Sequence, residues 1–504
     1  MFSILQRSNS NPNSLIRKGV SFISTYYLGK NPKNDLFPRL SSIRDPNTNV
    51  GQVLDQWVEE GKRVKEPEVQ RIVRELRSRK LFSHALQIAE LACKVLEWTK
   101  IKGLFPFSSG DCAVQLNLIG VVHGLNAAET YFDNLSDEEK DDKTYGALLS
   151  CYVREGLIDK SISHWEKMKD IGCVSSPLPY NNIMCLYAQS GQLEKVPDVL
   201  SEMKKDGIHP NNFSYKICMN SYGERSDTNS MEKMVKELES RPHISIDWTI
   251  YSSLANCYIK AGLKEKALIA LRKLEKKLDK DALGYNHLIS LYGHLGNKDE
   301  VLRLWGVHKA VCKKQLNRDY ITILGTLVKL GELDEAETVL KGWELSCHTY
   351  DFRVPNVLLI GYCQYGLIEK AEAMLQKIIK TGKIPIPNSW ALIALAYSDT
   401  GNMEKAIGCM KEALALNTQN SGWKPKPRLL SSLLNWLSEK GEVEEVEAFV
   451  SSLKMVIPVN REMYHALLKA SIRVGMEVSE ILESMKSDQI DEDEDTLKIL
   501  SYKN

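Results

Sequence analysis

At 504 residues, with 66 basic against 65 acidic side chains and a formal charge of +1, the chain is close to electroneutral. That balance excludes a protein held to nucleic acid chiefly by massed phosphate neutralisation. Hydrophobic content of 43% and charged content of 26% are those of ordinary folded proteins, and no run of about 18 apolar residues reads as a membrane span.

Residues 1–34 carry five basic side chains (Arg7, Arg17, Lys18, Lys30, Lys33), six serines and no acid. This is the composition of an organellar transit peptide. Its arginines lie among Ile4, Leu5, Leu15, Ile16 and Phe22, as an amphipathic import helix needs, which favours a mitochondrion over a chloroplast. Taking away the leader leaves 61 basic against 65 acidic residues, a net of −4. Residues 35–50 read as a linker. Residues 51–104 are expected to form an N-terminal helical cap outside any repeat: Leu54, Trp57 and Val58 share one face, Val69, Ile72, Val73 and Leu76 a second, and Ala85, Ile88, Ala89 and Cys93 a third. Such a cap would cover the open apolar end of a stack of repeats. Residues 105–141 read as a degenerate repeat with Gly124 at its turn.

From there to residue 486 the chain is periodic. An aromatic anchor recurs at Tyr145, Tyr180, Tyr215, Tyr251, Tyr285 and Tyr320, in steps of 35, 35, 36, 34 and 35, and returns at Tyr464. Eleven residues after most anchors comes a glycine (Gly156, Gly191, Gly262, Gly296, Gly331, Gly475). Gly366, Gly401 and Gly441 keep the phase after Pro355, Trp390 and Leu430. Five residues further stands a small or β-branched residue, as in Ala267, Val301, Ala336, Ala371, Ala406 and Val446. Two features depart from the pattern: Ser226 stands where a glycine belongs, and the repeat from Trp390 runs 40 residues.

The clearest unit is 177–211. Tyr180, Ile183, Met184 and Tyr187 line one helical face, and Val196, Val199, Leu200 and Met203 line that of a second helix. Gly191 between them suits a left-handed helix cap. So short a pair cannot bury its apolar faces alone and needs copies on either side. The chain ends in an acidic tail, 487–504, whose run DEDED at 491–495 reads as solvated charge finishing the last helix, or more sharply as a protein-docking tail.

The unit's Y-N start, single glycine after the first helix, late methionine and G-x-x-P-[ND] connector resemble the pentatricopeptide repeat family. YNNIMCLYAQSGQLEKVPDVLSEMKKDGIHPN at 180–211 is close to that family's consensus. The near-constant unit length is similar to the plain class of about 35-residue motifs found in plant organellar proteins. The resemblance implies an all-α fold, a right-handed superhelical α-solenoid of antiparallel helix pairs. It also implies single-stranded organellar RNA as partner, read one base per repeat.

In that family the principal readers are the residue after the anchor and the last residue of the repeat. Carried over, the resemblance implies Asn181 with Asn211 as a pyrimidine reader preferring cytosine, Ser431 with Asn460 as an adenine reader, and Ser252 with Asp281 as a weak guanine reader. Asn286 and Asn356 are candidates whose partner positions hold Leu316 and Ile386. The pairs Gly146–Ser176, Lys216–Asp247, Ile321–Asp351 and Ala391–Lys426 complete the series; Gly146, Ile321 and Ala391 offer no group to a base edge. A solenoid with this many blank pairs suits equally an interaction scaffold for other organellar proteins, for instance on a ribosome.

Nothing points to catalysis. The eleven cysteines include no C-x-x-C and the ten histidines no H-x-x-x-H, so no metal site is expected. No H-x-E with a later C-x-x-C, as in a zinc deaminase, appears. Neither a Walker A sequence nor G-x-G-x-x-G is present, and no cofactor is implied.

Overall fold

The computed structural model describes residues 36, 50–62, 67–68, 70–72, 94–103, 108–240, 246–347, 349–416 and 423–501. The expected leader, 1–34, lies outside the described residues, as do most of the linker and much of the cap. Among the described residues the chain is helical, with no strand. It divides into two compact units, 1–274 and 275–504.

In the first unit, helix Val50–Glu59 with residues 60–62, 67–68, 70–72 and 94–103 is what is described of the expected cap. Leu54, Trp57, Val95, Leu96 and Trp98 are buried against Cys112 and Leu116 of the next helix. Asp55 accepts a hydrogen bond from the Trp98 indole at 3.0 Å and pairs with Lys102 at 2.8 Å. The degenerate repeat is itself a helix pair, Ser109–Val122 and Leu125–Asp133, turned at Gly124. Pairs follow at Asp142–Arg154 with Ile158–Asp170, Pro177–Gln189 with Lys195–Lys205, and Asn212–Glu224 with Thr228–Glu239. Each first helix packs on its own second helix and on the first helix of the next repeat. The second unit repeats this arrangement from Ala282–His294 to Ser479–Ser487.

The sequence period is therefore a packing period. Ala267, Val301, Ala336, Ala371, Ala406 and Val446 are fully buried. First helices of neighbouring repeats approach closely. A Cβ on Gly120 would stand 2.7 Å from Cys151 Sγ, and one on Gly361 2.8 Å from a Val328 methyl. Free Cys151 and Cys257, six residues after their anchors, are buried packing groups in this sense.

A second periodic contact fixes register on the second helices. Glu232 accepts from Tyr258 Oη at 3.1 Å and from Lys266 Nζ at 2.6 Å, both in the following repeat. Glu337 does the same with Tyr362 and Lys370, each at 2.6 Å. Each lysine also lies over its tyrosine ring, at 5.9 and 4.7 Å.

Three expectations change on contact with the structure. Ser226 does not break the phase: its φ of 58° is the left-handed turn that the equivalent glycines adopt, at 76° for Gly191 and 74° for Gly262. Gly441, which keeps the phase in sequence, has φ −77° and ψ 156° and is no left-handed cap. The acidic run does not finish the last repeat helix either. It leads into a separate helix, Glu494–Ser501, that packs back on Arg461–Arg473. Ile499 is buried with Leu468 and Val478, while Asp493 pairs with Arg461 at 3.1 Å and accepts from Thr496 N at 2.8 Å.

Candidate nucleic-acid interface

The eight candidate base-facing residues occupy two local environments. Asn181, Ser252, Asn286, Asn356 and Ser431 sit one residue past an anchor, inside a first helix. Asn211, Asp281 and Asn460 are the N-caps of the first helices that follow, where a short polar side chain satisfies backbone N–H groups that no carbonyl can reach.

Capping consumes part of each N-cap. Asn211 Oδ1 accepts from Ser214 N at 3.0 Å, while Ser214 Oγ accepts from Asn211 N at 3.2 Å. Asp281 accepts from Leu283 N at 2.9 Å and Gly284 N at 3.3 Å. Asn460 accepts from Met463 N at 3.2 Å. The asparagines differ from the aspartate in one respect: with the oxygen fixed on the helix, the NH2 group still offers donors.

The residues past the anchor divide more sharply. Asn286 and Asn356 are each 5% exposed and each makes one side-chain hydrogen bond inside the protein, with Asn286 Oδ1 left without a partner. Asn286 Nδ2 donates to Asp319 at 2.6 Å, and Asn356 Oδ1 accepts from Ser389 Oγ at 2.8 Å. Asp319 and Ser389 both immediately precede the next anchor, so these asparagines tie one repeat to the next. Sequence reasoning passed over that position; the polar residues before Tyr320 and Trp390 were its signal. Ser431 places its hydroxyl 2.9 Å from the Glu462 carboxylate, which sets a negative charge beside Asn460. Ser252 is half-buried in its helix, and Asp281 belongs to the other unit.

Asn181 is 3% exposed, and its amide oxygen, like that of Asn286, has no hydrogen-bond partner among the described residues; unlike Asn286, its amide makes no bond to the next repeat. The equivalent of Asp319 and Ser389 in the next repeat is Ser214, already engaged in the Asn211 capping box. The sequence places Asn181 off the apolar stripe of Tyr180, Ile183 and Tyr187, but the structure buries it along with Tyr180 and Ile183. Its helix packs directly on the helix that Asn211 caps. An unpartnered acceptor and a free donor group thus stand on neighbouring first helices.

One further polar cluster is buried in the second unit. His308 is fully buried with neither ring nitrogen hydrogen-bonded. It stacks on Trp305 with centroids 5.3 Å apart, and its Nε2 lies 3.8 Å from Asp319. Burial holds its pKa below the ordinary histidine value, against the opposing pull of the Asp319 carboxylate. Among the described residues no group of histidine, cysteine and carboxylate side chains could hold a metal ion.

Comparison with known proteins agrees with the period. The models of the PPR repeat match residues 143–173, 249–277, 284–306 and 354–382, and that of the PPR repeat family matches 179–224. A mitochondrial pentatricopeptide repeat-containing protein of Arabidopsis thaliana is 46% identical over 481 residues, covering 95% of this chain and 96% of its own. The large ribosomal subunit protein mL101 of the same plant is 32% identical over 468 residues, covering 92% and 94%. Among solved structures, the pentatricopeptide repeat protein PPR10 from maize is similar with a TM-score of 0.45 and 18% identity, over 93% of this chain and 70% of that one.

Proposed function

The chain belongs to the pentatricopeptide repeat family, and from that premise we propose that it is a mitochondrial protein that binds single-stranded RNA without catalysis of its own and acts in transcript processing, stability or translation. The observation that carries this reading is Asn181. A buried amide oxygen without a partner costs about 1–3 kcal/mol, and each such group in a folded protein calls for a reason. A base supplies one. The exocyclic amine of cytosine donates to Asn181 Oδ1, while the free Asn211 amide donates to the ring nitrogen beside it. A mitochondrial address is supported by the acid-free basic leader and by the mitochondrial relative.

The same physics separates function from fold. Replacing Asn181 with leucine removes the unpaired group at similar volume, so the variant should be as stable as wild type or more so. It should also bind pyrimidine-containing RNA about tenfold or more weakly, the value of one lost base contact. Loss of stability without loss of RNA binding would mark Asn181 as a packing residue only.

A second reading, a scaffold on the mitochondrial ribosome, draws support from the relative mL101 and from the many pairs occupied within the protein. A salt titration against pooled mitochondrial RNA separates the two. RNA retained at physiological salt supports the first; no RNA retained, with ribosomal proteins held in a pull-down, supports the second.

A further inference from the structure

The acidic end of the chain keeps the register of the repeats. Before the anchors Tyr145 and Tyr215, the residue four positions earlier and the residue just before the anchor form a capping box, Asp141 with Thr144 and Asn211 with Ser214. Asp493 and Thr496 build the same box: Thr496 N donates to Asp493 at 2.8 Å, and Asp493 N to Thr496 Oγ1 at 3.3 Å. His465, one residue past Tyr464, lies 2.9 Å from Thr496 Oγ1, in the two positions that Asn356 and Ser389 join elsewhere. Glu494–Ser501 is therefore the first helix of a further repeat, with Leu497 at its anchor.

Anchors elsewhere lie against the second helix of their own repeat. Lys273 stands 5.8 Å from the Tyr251 ring, and His308 meets Tyr285 with centroids 6.1 Å apart. Tyr180, Tyr215 and Tyr464 are each 1% exposed, whereas Leu497 is 59% exposed. The preceding second helix, Ser479–Ser487, is open in a matching way. Glu232 and Glu337, on second helices within the stack, each take a lysine from the following repeat. Glu480 and Glu483 are exposed and make no ion pair among the described residues. Residues 477–495 hold nine acidic side chains against one lysine, of which Glu492, Asp493 and Asp495 are paired with Lys486, Arg461 and Lys498.

We propose that this end of the stack docks a basic amphipathic helix of a partner protein, lying where a second helix would lie. Its apolar face covers Leu497 and the half-buried Leu500, and its lysines or arginines face Glu480 and Glu483. The leucines supply apolar area, while the carboxylates choose the sign of the incoming charge. That charge also repels RNA phosphates, so the occupant is protein. The chain holds its own example of the required chemistry in helix Lys264–Lys276. There Leu271 and Leu274 are buried, while Lys266 and Lys273 reach Glu232 and Glu239 of the preceding repeat at 2.6 and 2.7 Å. The docking does not depend on the RNA-binding reading.

The test uses the full chain and, as probe, a fluorescein-labelled peptide of residues 264–276, followed by fluorescence anisotropy at one salt concentration. Two control peptides accompany it: one with every lysine and arginine changed to glutamate, and one of the same charge interrupted by proline so that no helix forms. The basic helical peptide should bind, and both controls should bind about tenfold or more weakly. Leu497→Ser changes an exposed side chain, so it should melt as wild type does and bind the probe about tenfold more weakly. The double variant Glu480→Lys, Glu483→Lys should reverse the preference toward the glutamate peptide. No binding of the probe, equal binding of all three peptides, or wild-type affinity in Leu497→Ser would overturn the proposal. Self-association of wild type in sedimentation equilibrium that Leu497→Ser abolishes would overturn it too, since the occupant would then be a second copy of the chain.

Discussion

Ser226→Gly should stabilise the protein. Ser226 holds φ 58°, one of two positive-φ residues other than glycine among the described residues, and the left-handed region costs an L-residue about 1–2 kcal/mol. Its side chain is exposed and makes no hydrogen bond among the described residues, so glycine forfeits no contact. Against this, glycine's greater freedom in the unfolded chain returns about 0.4–1 kcal/mol. The net gain is about 0.5–1 kcal/mol. Gly191→Ser, at φ 76° with open space around the missing Cβ, should lose a similar amount. Gly441→Ser separates conformational strain from crowding. Its φ of −77° suits any residue, but an added Cβ would lie 2.9 Å from Leu437 O, so any loss there comes from contact. Urea unfolding gives the midpoints, and hydrogen exchange over residues 212–239 localises the change, because stability in stacked repeats is local. An unchanged or lowered midpoint for Ser226→Gly would refute the view that this turn's backbone, rather than its residue type, carries the period.

Three further outcomes are expected. Asp319→Ala should cost about 1.5–3 kcal/mol, the range for hydrogen bonds to a charged group, because it strands the buried Asn286 amide and leaves Leu316 N, 2.8 Å away, without its acceptor; RNA affinity should not change, and thermal melting with a binding isotherm checks both. His308, whose folded pKa lies below its unfolded value because of burial, binds a proton more readily when unfolded. Its stabilising share is then complete above about pH 6.5 and declines as the pH falls below it; melting temperature between pH 7 and about 5 should drop less in His308→Phe than in wild type. Residues 1–34 fused to a fluorescent reporter should carry it into mitochondria, and import into plastids alone would contradict the reading of the leader.

How much of this was legible follows from which interactions repeat. Tyr180, Gly191 and Ala267 mark positions that every unit must solve in the same way, so their spacing exposed the helix pairs directly. Ser226 and Gly441 show the limit of reading residue types for backbone geometry: one adopts the left-handed turn without being glycine, the other is glycine without adopting it. The base-facing positions were harder. Asn181, Asn286 and Asn356 are the same residue at the same place in the repeat, and only what precedes the next anchor tells them apart. Asp319 and Ser389 each hold one amide group of theirs, whereas Ser214 is drawn into a capping box and leaves Asn181 with no bond to the next repeat. That depends on a contact between repeats about 33 residues apart, as for Asn286 with Asp319, which periodicity alone does not expose.

The most direct test of RNA reading at Asn181 and Asn211 is Asn211→Asp. Aspartate caps a helix as well as asparagine does, so the carboxylate can keep the bond to Ser214 N and the fold should be unchanged. What changes is the remaining group, from donor to acceptor. The ring nitrogen facing it accepts in cytosine and donates in uracil. Affinities would be measured at one fixed salt concentration for two RNAs that differ only by cytosine or uracil at the selected site. Wild type should favour the cytosine RNA and Asn211→Asp the uracil RNA, a reversal that no change in general electrostatics produces. Equal weakening toward both RNAs, or no change toward either, would contradict the assignment and leave Asn211 as a helix cap alone.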